Sequence, residues 1–232
     1  MNTNLTPLTN YSIIGFDKYL LHTDVPKFRG GINNAIENPD VLCHNHYDES
    51  LRYAYPLVQY KVLGGKAAIV AIGEGLNIVH HFLNTPSIDI RIGEEQTQLD
   101  LAYINIKPFS LQLMDKMKTY KILNWMPLNQ DNHANYQMLD GLSEQCEFLE
   151  NILVGNILSM AKGLDVTFDD HVVCRIDYIS EPHLQSYKGM KMVTFNIQFK
   201  SNVFLPQWIG LGKGVSRGFG TVVYDNIRKN NK

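Results

Sequence analysis

The 232-residue chain has little cysteine, no long apolar run and no overall excess of basic residues. Its three cysteines form no Cys-x-x-Cys pair, which argues against a structural zinc or a disulfide framework and favours a reduced compartment. The apolar run at residues 67–72 is far too short to cross a membrane. Residues 1–7 are polar and uncharged, unlike a signal peptide. We therefore expect a cytoplasmic protein that does not enter the membrane.

The remaining composition, with 44% hydrophobic and 19% charged residues, is that of a globular protein. In the first half, the pattern predicts a strand over 11–21 and a helix over 24–36, followed by strands over 55–63 and 66–72. Gly64 and Gly65 form the expected hairpin turn. A helix to about residue 83 and strands over 88–92 and 99–106 follow. This order is the ferredoxin-like, RRM-like arrangement.

The second half begins with an extended segment over 120–129 and a helix from Ser143 to Gly163, where Leu149, Leu153 and Ile157 belong to one buried stripe. Strands are predicted over 172–179 and 191–200, and the second of these alternates strictly between apolar and polar residues. The sequence thus predicts an α+β fold with antiparallel sheets, divided into domains at 1–95 and 96–232.

The most distinctive stretch is a glycine-rich loop over residues 209–224, with five glycines between Gly210 and Gly220. It fits neither a P-loop, since Gly214 follows Lys213, nor a dinucleotide fingerprint. Its N–H groups are expected to form an anion-binding nest, but a tight connection without a ligand stays open. The candidate binding residues share this loop: Gly210, Gly212, Lys213, Gly214, Ser216, Arg217, Gly218 and Gly220.

Charge is distributed unevenly along the chain. Residues 183–232 carry eight Lys/Arg and one acid, a net charge of +7, whereas the other 182 residues carry −9. Because the glycine-rich loop lies in the basic segment, a polyanion is expected to bind there. Lys188 and Lys191 join the candidate binding residues for the same reason.

His44 and His46 lie two residues apart in an irregular stretch. Histidine can take and give a proton near neutral pH, so the pair can supply the base and the acid for attack of an RNA 2′-hydroxyl on its phosphate. Candidates to support the phosphate charge are Tyr47, Arg29, Arg52 and Lys61. Two structural imidazoles, or a metal site completed by Asp48, remain alternatives, so a metal-dependent nuclease and a structural subunit without an RNA site both stay open.

Several longer segments together resemble the CRISPR-associated endoribonucleases that process precursor CRISPR RNA, in their b-type branch. They occur in the family's order across nearly the whole chain: 28–30 (FRG), 42–46 (LCHNH), 55–61 (YPLVQYK), 68–75 (AIVAIGEG), 125–130 (WMPLNQ), 149–163 (LENILVGNILSMAKG), 205–206 (LP) and 210–220 (GLGKGVSRGFG).

The resemblance implies two tandem ferredoxin-like domains and metal-independent cleavage within each repeat, leaving a 2′,3′-cyclic phosphate and a 5′-hydroxyl. It implies that His44 and His46 are catalytic, that the glycine-rich loop binds repeat RNA, and that no metal or other cofactor is needed. Expected partners are the CRISPR repeat RNA, the mature crRNA and other subunits of a surveillance complex, and a homodimer is left open. The alternative is a catalytically inactive repeat-binding protein of the same fold.

Overall fold

The computed structural model describes residues 8–36 and 55–224. Within those residues, no helix is long and apolar enough to cross a membrane. The chain forms two compact units. The N-terminal unit comprises residues 1–111, 159–166 and 215–218, and the C-terminal unit comprises 112–158, 167–214 and 219–232. The division at 95/96 expected from the sequence lies at the first residues of a long strand, Glu95–Ser110.

The N-terminal unit contains a five-stranded antiparallel sheet in the order β2-β3-β1-β5-β4. Its strands are β1 (Leu8–Tyr19), β2 (Val58–Leu63), β3 (Lys66–Ile72), β4 (Ser87–Ile92) and β5 (Glu95–Ser110). Two helices, α1 (Val25–Ala35) and α2 (Asn77–Asn84), follow β1 and β3. The order β2-β3-β1-β5 is the ferredoxin-like arrangement, and β4 adds an outer strand.

Aromatic side chains hold both helices on this sheet. Phe16 of β1 contacts Phe28 of α1, with ring centroids 6.0 Å apart, and Phe82 of α2, with centroids 4.9 Å apart. All three are at most 1% exposed. The helix predicted over 24–36 is therefore present, with Phe28 and Ile32 buried on its apolar face. Its N-terminal Asp24 does not cap the helix with its side chain but accepts a hydrogen bond from Lys27 at 2.8 Å.

The C-terminal unit repeats the same pattern. Its sheet has the order β10-β6-β9-β7, and a further strand, β8, pairs with β9. The strands are β6 (Leu113–Trp125), β7 (Cys174–Ile179), β8 (His183–Tyr187), β9 (Met190–Val203) and β10 (Thr221–Tyr224). A short helix, α3 (Gln130–Gln137), precedes the long helix α4 (Leu142–Gly163).

Helix α4 carries the expected buried stripe, in which Leu149, Leu153 and Ile157 are fully buried. Glu150 fastens it to β7 by accepting hydrogen bonds from the Ile176 N–H at 2.7 Å and from Arg175 at 2.9 Å. The predicted α+β fold with antiparallel sheets is therefore confirmed. The sequence patterns did not indicate α3 or β8, and they did not indicate that β6 begins as early as Leu113.

Candidate nucleic-acid interface

The predicted catalytic pair, His44 and His46, lies outside the described residues, and so do Tyr47, Asp48 and Arg52. Their roles stay predictions. Among residues 8–36 and 55–224, no group of three His, Cys, Asp or Glu side chains is arranged to hold a metal ion.

Two of the predicted supporting residues lie on neighbouring elements of the N-terminal unit. Arg29 lies on α1 and is partly buried, whereas Lys61 lies on β2 with only 1% of its surface exposed. Burial lowers the pKa of the Lys61 ammonium to about 7, because the charged form loses its hydration. Both protonation states of Lys61 are therefore populated near neutral pH.

His22, on a short 3₁₀ turn before α1, is electrostatically coupled to Lys61. Its pKa is lowered first by partial desolvation and second by the positive charge of Lys61. No partner for His22 was evident in the sequence, because 39 residues separate the two positions. Only the folded sheet brings them near each other.

The glycine-rich loop folds back on itself. Its two ends pair with each other, since the Val222 N–H donates to the Ile209 carbonyl at 2.8 Å and the Leu211 N–H donates to the Gly220 carbonyl at 2.8 Å. The Gly220 N–H in turn donates to the Asn124 carbonyl of β6 at 3.0 Å. These bonds attach both ends of the loop to the edge of the C-terminal sheet.

The glycines of the loop are required by its backbone path. Gly212, Gly214, Gly218 and Gly220 all have positive φ, between 64° and 89°. A Cβ on Gly220 would overlap the Leu211 carbonyl oxygen, and one on Gly212 would lie 2.8 Å from the indole nitrogen of Trp125. Close packing therefore accounts for these glycines before any ligand is considered.

Several loop N–H groups already have partners within the protein. Those of Leu211, Lys213, Gly218, Phe219 and Gly220 all donate to backbone carbonyls. These five groups are engaged within the protein, so an anion nest would have to use other N–H groups of the loop, and its polar side chains are further candidate donors. Lys213 is exposed, while Ser216 and Arg217 are partly exposed.

The middle of the loop belongs to the N-terminal unit. Residues 215–218 are part of that unit, and within them the 3₁₀ turn Val215–Arg217 packs against β2 and α1. A Cβ on Gly218 would lie 3.4 Å from the Tyr60 carbonyl oxygen and from both methyl groups of Val25. Ser216 and Arg217 are thereby placed beside the strand that carries Lys61.

The two other predicted RNA-binding lysines lie on the β8–β9 hairpin of the C-terminal unit. Lys188 and Gly189 form its tip, and Lys191 follows on β9. Both lysines are exposed. The hairpin itself was missed because the spacing of its apolar residues is irregular before Met190.

Comparison with known proteins matches both halves of the chain to domains of the same family. Residues 9–110 match the family described as the Cas6b N-terminal domain, and residues 112–224 match the Cas6b C-terminal domain. An uncharacterized protein of Methanocaldococcus jannaschii, MJ0978, is 37% identical over 124 residues, which cover 53% of this chain and 82% of that protein.

Solved structures extend the similarity over the whole fold. A crystal structure of Cas6b superposes with a TM-score of 0.83 at 30% identity, covering 94% of this chain and 100% of that one. A second, described as the CRISPR RNA processing endoribonuclease Cas6b, gives 0.70 at 29% identity, covering 94% and 99%. A type IV Cas6 crRNA endonuclease, Csf5, shares the fold with a TM-score of 0.55 at 14% identity. From the two matched domains and the agreement of the fold, we conclude that this chain belongs to the Cas6b family.

Proposed function

We propose that the protein is an endoribonuclease that cuts precursor CRISPR RNA within its repeats. The observation that carries the proposal is the match of both domains, residues 9–110 and 112–224, to Cas6b. A solved Cas6b described as a CRISPR RNA processing endoribonuclease aligns with 94% of the chain at 29% identity. The basic segment that contains the glycine-rich loop supports RNA as the substrate.

In the proposed reaction, one histidine of the pair His44 and His46 removes the proton from a 2′-hydroxyl. The 2′-oxygen then attacks the adjacent phosphorus, and the bond from phosphorus to the 5′-oxygen breaks. The other histidine donates a proton to the departing 5′-oxygen. The products are a 2′,3′-cyclic phosphate and a 5′-hydroxyl, and no metal takes part.

The residues proposed to support catalysis differ in how exposed their side chains are. Only 1% of the surface of Lys61 is exposed, so its side chain is not placed to touch RNA. Its proposed role is indirect, through the residues that surround it. Arg29 and Arg217, both partly exposed, are the described candidates for balancing the negative charge that grows on the phosphate. Tyr47 and Arg52 complete the proposed set.

RNA binding is assigned to the glycine-rich loop and the β8–β9 hairpin. Lys213, Arg217, Lys188 and Lys191 supply positive charge, and Ser216 supplies a hydroxyl donor. The glycines Gly210, Gly212, Gly214, Gly218 and Gly220 shape the loop that presents these side chains. We expect the protein to act in the cytoplasm, to retain the mature crRNA and to join other subunits of a surveillance complex; a homodimer is a further expected assembly.

The test is cleavage of a labelled CRISPR repeat RNA from the source genome in the presence of EDTA. We expect one cut, with a product that ends in a cyclic phosphate. The double variant His44→Ala/His46→Ala should bind the RNA and leave it intact.

The other outcomes are informative. Binding without cleavage by the unmodified protein would reduce it to a repeat-binding protein. Cleavage abolished by EDTA and restored by a divalent cation would replace the proposed mechanism with a metal-dependent one. Cleavage by the double variant equal to that of the unmodified protein would remove the histidine pair from the mechanism.

A further inference from the structure

The tip of the β8–β9 hairpin holds a lysine in an unusual backbone conformation. Lys188 has φ 51° and Gly189 has φ 81°. Two-residue hairpin turns with both residues in this region favour Asn-Gly or Gly-Gly, because a side chain larger than Asn is disfavoured there. The turn therefore presents a cation at a place where local conformation alone would select a different residue.

Tyr187 connects this lysine with the glycine-rich loop. The Lys188 ammonium lies 5.7 Å from the centre of the Tyr187 ring. The same ring meets Phe219 of the loop edge-on, with centroids 5.8 Å apart and an interplanar angle of 89°. A Cβ on Gly214 would lie 2.9 Å from Phe219 and 3.1 Å from Tyr187, so the loop backbone closely approaches both rings.

Asn124 provides a second connection between the hairpin and the loop. It lies in β6 with φ 50°, and its N–H donates to the Asn196 side-chain oxygen at 2.9 Å. Its carbonyl accepts from the Gly220 N–H of the loop at 3.0 Å. Its side-chain oxygen accepts from Gln185 of β8 at 2.7 Å. One residue thus bonds to β9, to the loop and to the hairpin.

The register of the hairpin separates its two lysines. Directly opposite residues of an antiparallel pair lie on the same face, and neighbours along a strand alternate between faces. Tyr187 is opposite Met190, whereas Lys191 is opposite Ser186. Lys191 therefore lies on the face away from Tyr187, while Lys188 lies over the Tyr187 ring.

We propose that Lys188 and Lys213 form one preorganised cationic surface for consecutive phosphates of the bound RNA, with Tyr187 and Asn124 as its positioning residues. This inference rests on the proposed function. The physical reason is entropic: a lysine on an isolated hairpin must be ordered when RNA binds, whereas these contacts order the hairpin and the loop beforehand. Lys191 binds RNA independently of this surface.

The experiment is a thermodynamic cycle in the His44→Ala/His46→Ala background, so that the repeat RNA stays intact. Binding of the labelled repeat is measured for Lys188→Gln, Lys213→Gln and the double variant. If one stretch of RNA phosphates contacts both lysines, removing one lysine also weakens the contact that the other lysine makes with the RNA. We expect Lys188→Gln to weaken binding about fivefold when Lys213 is present and less than about twofold when it is absent. The pair Lys191 and Lys213 should be additive.

The positioning residues are tested by repeating the cycle. In Tyr187→Ala the coupling between Lys188 and Lys213 should disappear, whereas Tyr187→Phe keeps the ring and should restore it. Asn124→Gly keeps the positive φ and the backbone hydrogen bonds but removes the bond to Gln185. It should reduce the coupling without a loss of folded structure by circular dichroism, and it serves as the second variant if Tyr187→Ala fails to fold.

Additive effects of Lys188→Gln and Lys213→Gln, with each variant binding more weakly than the parent, would overturn this inference and leave the proposed function standing. Coupling that persists in both Tyr187→Ala and Asn124→Gly would overturn the positioning roles. Absence of repeat binding by the parent protein would overturn the proposed function, and this inference with it.

Discussion

The two units share the order strand, helix, strand, strand, to which the C-terminal unit adds α3 and β8, and they differ again before their last strand. In the N-terminal unit, the chain between β3 and β5 forms α2 and β4. In the C-terminal sheet, the corresponding connection between β9 and β10 contains the glycine-rich loop and one 3₁₀ turn, the part of the loop that belongs to the N-terminal unit. A ferredoxin-like sheet therefore keeps its strand order when its second helix is replaced by a hydrogen-bonded loop.

The two units therefore complete the same kind of sheet in different ways, one with a helix and the other with a loop. Helix α2 contributes buried side chains, with Ile78, Val79 and Phe82 at most 3% exposed. The loop also buries apolar side chains, Ile209 and Leu211 among them, but it is held in addition by backbone hydrogen bonds and glycine packing, and it leaves Lys213 exposed. The consequence is that the connection in the C-terminal unit can carry cations where the N-terminal unit has a packed apolar face.

The largest expected effect is that of a single methyl group in the loop. Gly220→Ala would place a Cβ against the Leu211 carbonyl at φ 64°, so we expect a loss of about 2–4 kcal/mol in the free energy of unfolding. Gly155→Ala is the matched control: Gly155 is exposed on α4, a Cβ there meets nothing within 4 Å, and helix propensity favours alanine. Denaturant unfolding of both variants makes the comparison, and equal stabilities would contradict it.

A second effect concerns the charges of the loop. We expect Lys213→Glu/Arg217→Glu to weaken repeat binding about a hundredfold at low salt, because contacts of cations with RNA phosphates supply much of the affinity. We expect the salt slope of log K to become shallower by about 1.4 to 1.8, since two phosphate contacts no longer release counterions. Binding titrations across a range of salt concentrations measure both quantities.

The matched control for these reversals lies outside the glycine-rich loop, on α1 and β3. Lys27→Glu/Lys66→Glu changes the net charge of the protein by the same amount, at two exposed lysines that pair with Asp24 and Asp17. We expect it to leave the salt slope unchanged. Similar losses from both double variants would mean that overall charge, rather than the loop, governs binding.

A third comparison is between two cations, each on the second strand along the chain of its unit, β2 or β7. Lys61 on β2 is buried with a pKa of about 7, against 10.5 for an ordinary lysine. At a pH between these two values, Lys61 is protonated in the unfolded chain and deprotonated in the folded chain. The free energy of unfolding should therefore rise with pH from about 7 to 10, by at most about 1.4 kcal/mol per pH unit. Lys61→Met should flatten that part of the stability profile. Parallel profiles for Lys61→Met and the unmodified protein would show that Lys61 does not titrate in this range.

The smallest effect is expected at the equivalent strand of the C-terminal unit. Arg175 on β7 bonds Glu150, but its side chain is 66% exposed, so solvent screens the pair. We expect Arg175→Met to change the free energy of unfolding by less than about 1 kcal/mol, with no change in its pH dependence near neutrality. A pH-dependent loss as large as that of Lys61→Met would show that burial is not what distinguishes the two cations.

Periodic patterns were the part of the fold that the sequence predicted well. The alternation from Val193 to Phe199 correctly predicted β9, and the apolar stripe of α4 correctly predicted its buried face. Gly64 and Gly65 both have positive φ, as their hairpin turn requires. These patterns are local, because each residue's environment follows from its immediate neighbours.

Features that depend on distant partners were not predicted. Helix α3 has no buried residue, so no apolar period marks it, and only its Asn129 N-cap gives a local signal. Asn124 reads as an ordinary strand residue until its bonds to Gln185, Asn196 and Gly220 are seen. The glycine-rich loop was recognised by composition, but the packing that requires each glycine was not. The roles of His44 and His46 stay predictions.

The N-terminal unit is built from three separate segments of the chain, and this has a consequence for its folding during synthesis on the ribosome. This unit includes residues 159–166 and 215–218, so its first 111 residues emerge well before the unit is complete. The pairing of β10 with β6 also joins residues about a hundred positions apart. Neither unit can finish folding until the glycine-rich loop has been translated, and a nascent chain that stalls before it would expose incompletely covered sheets to aggregation and quality control.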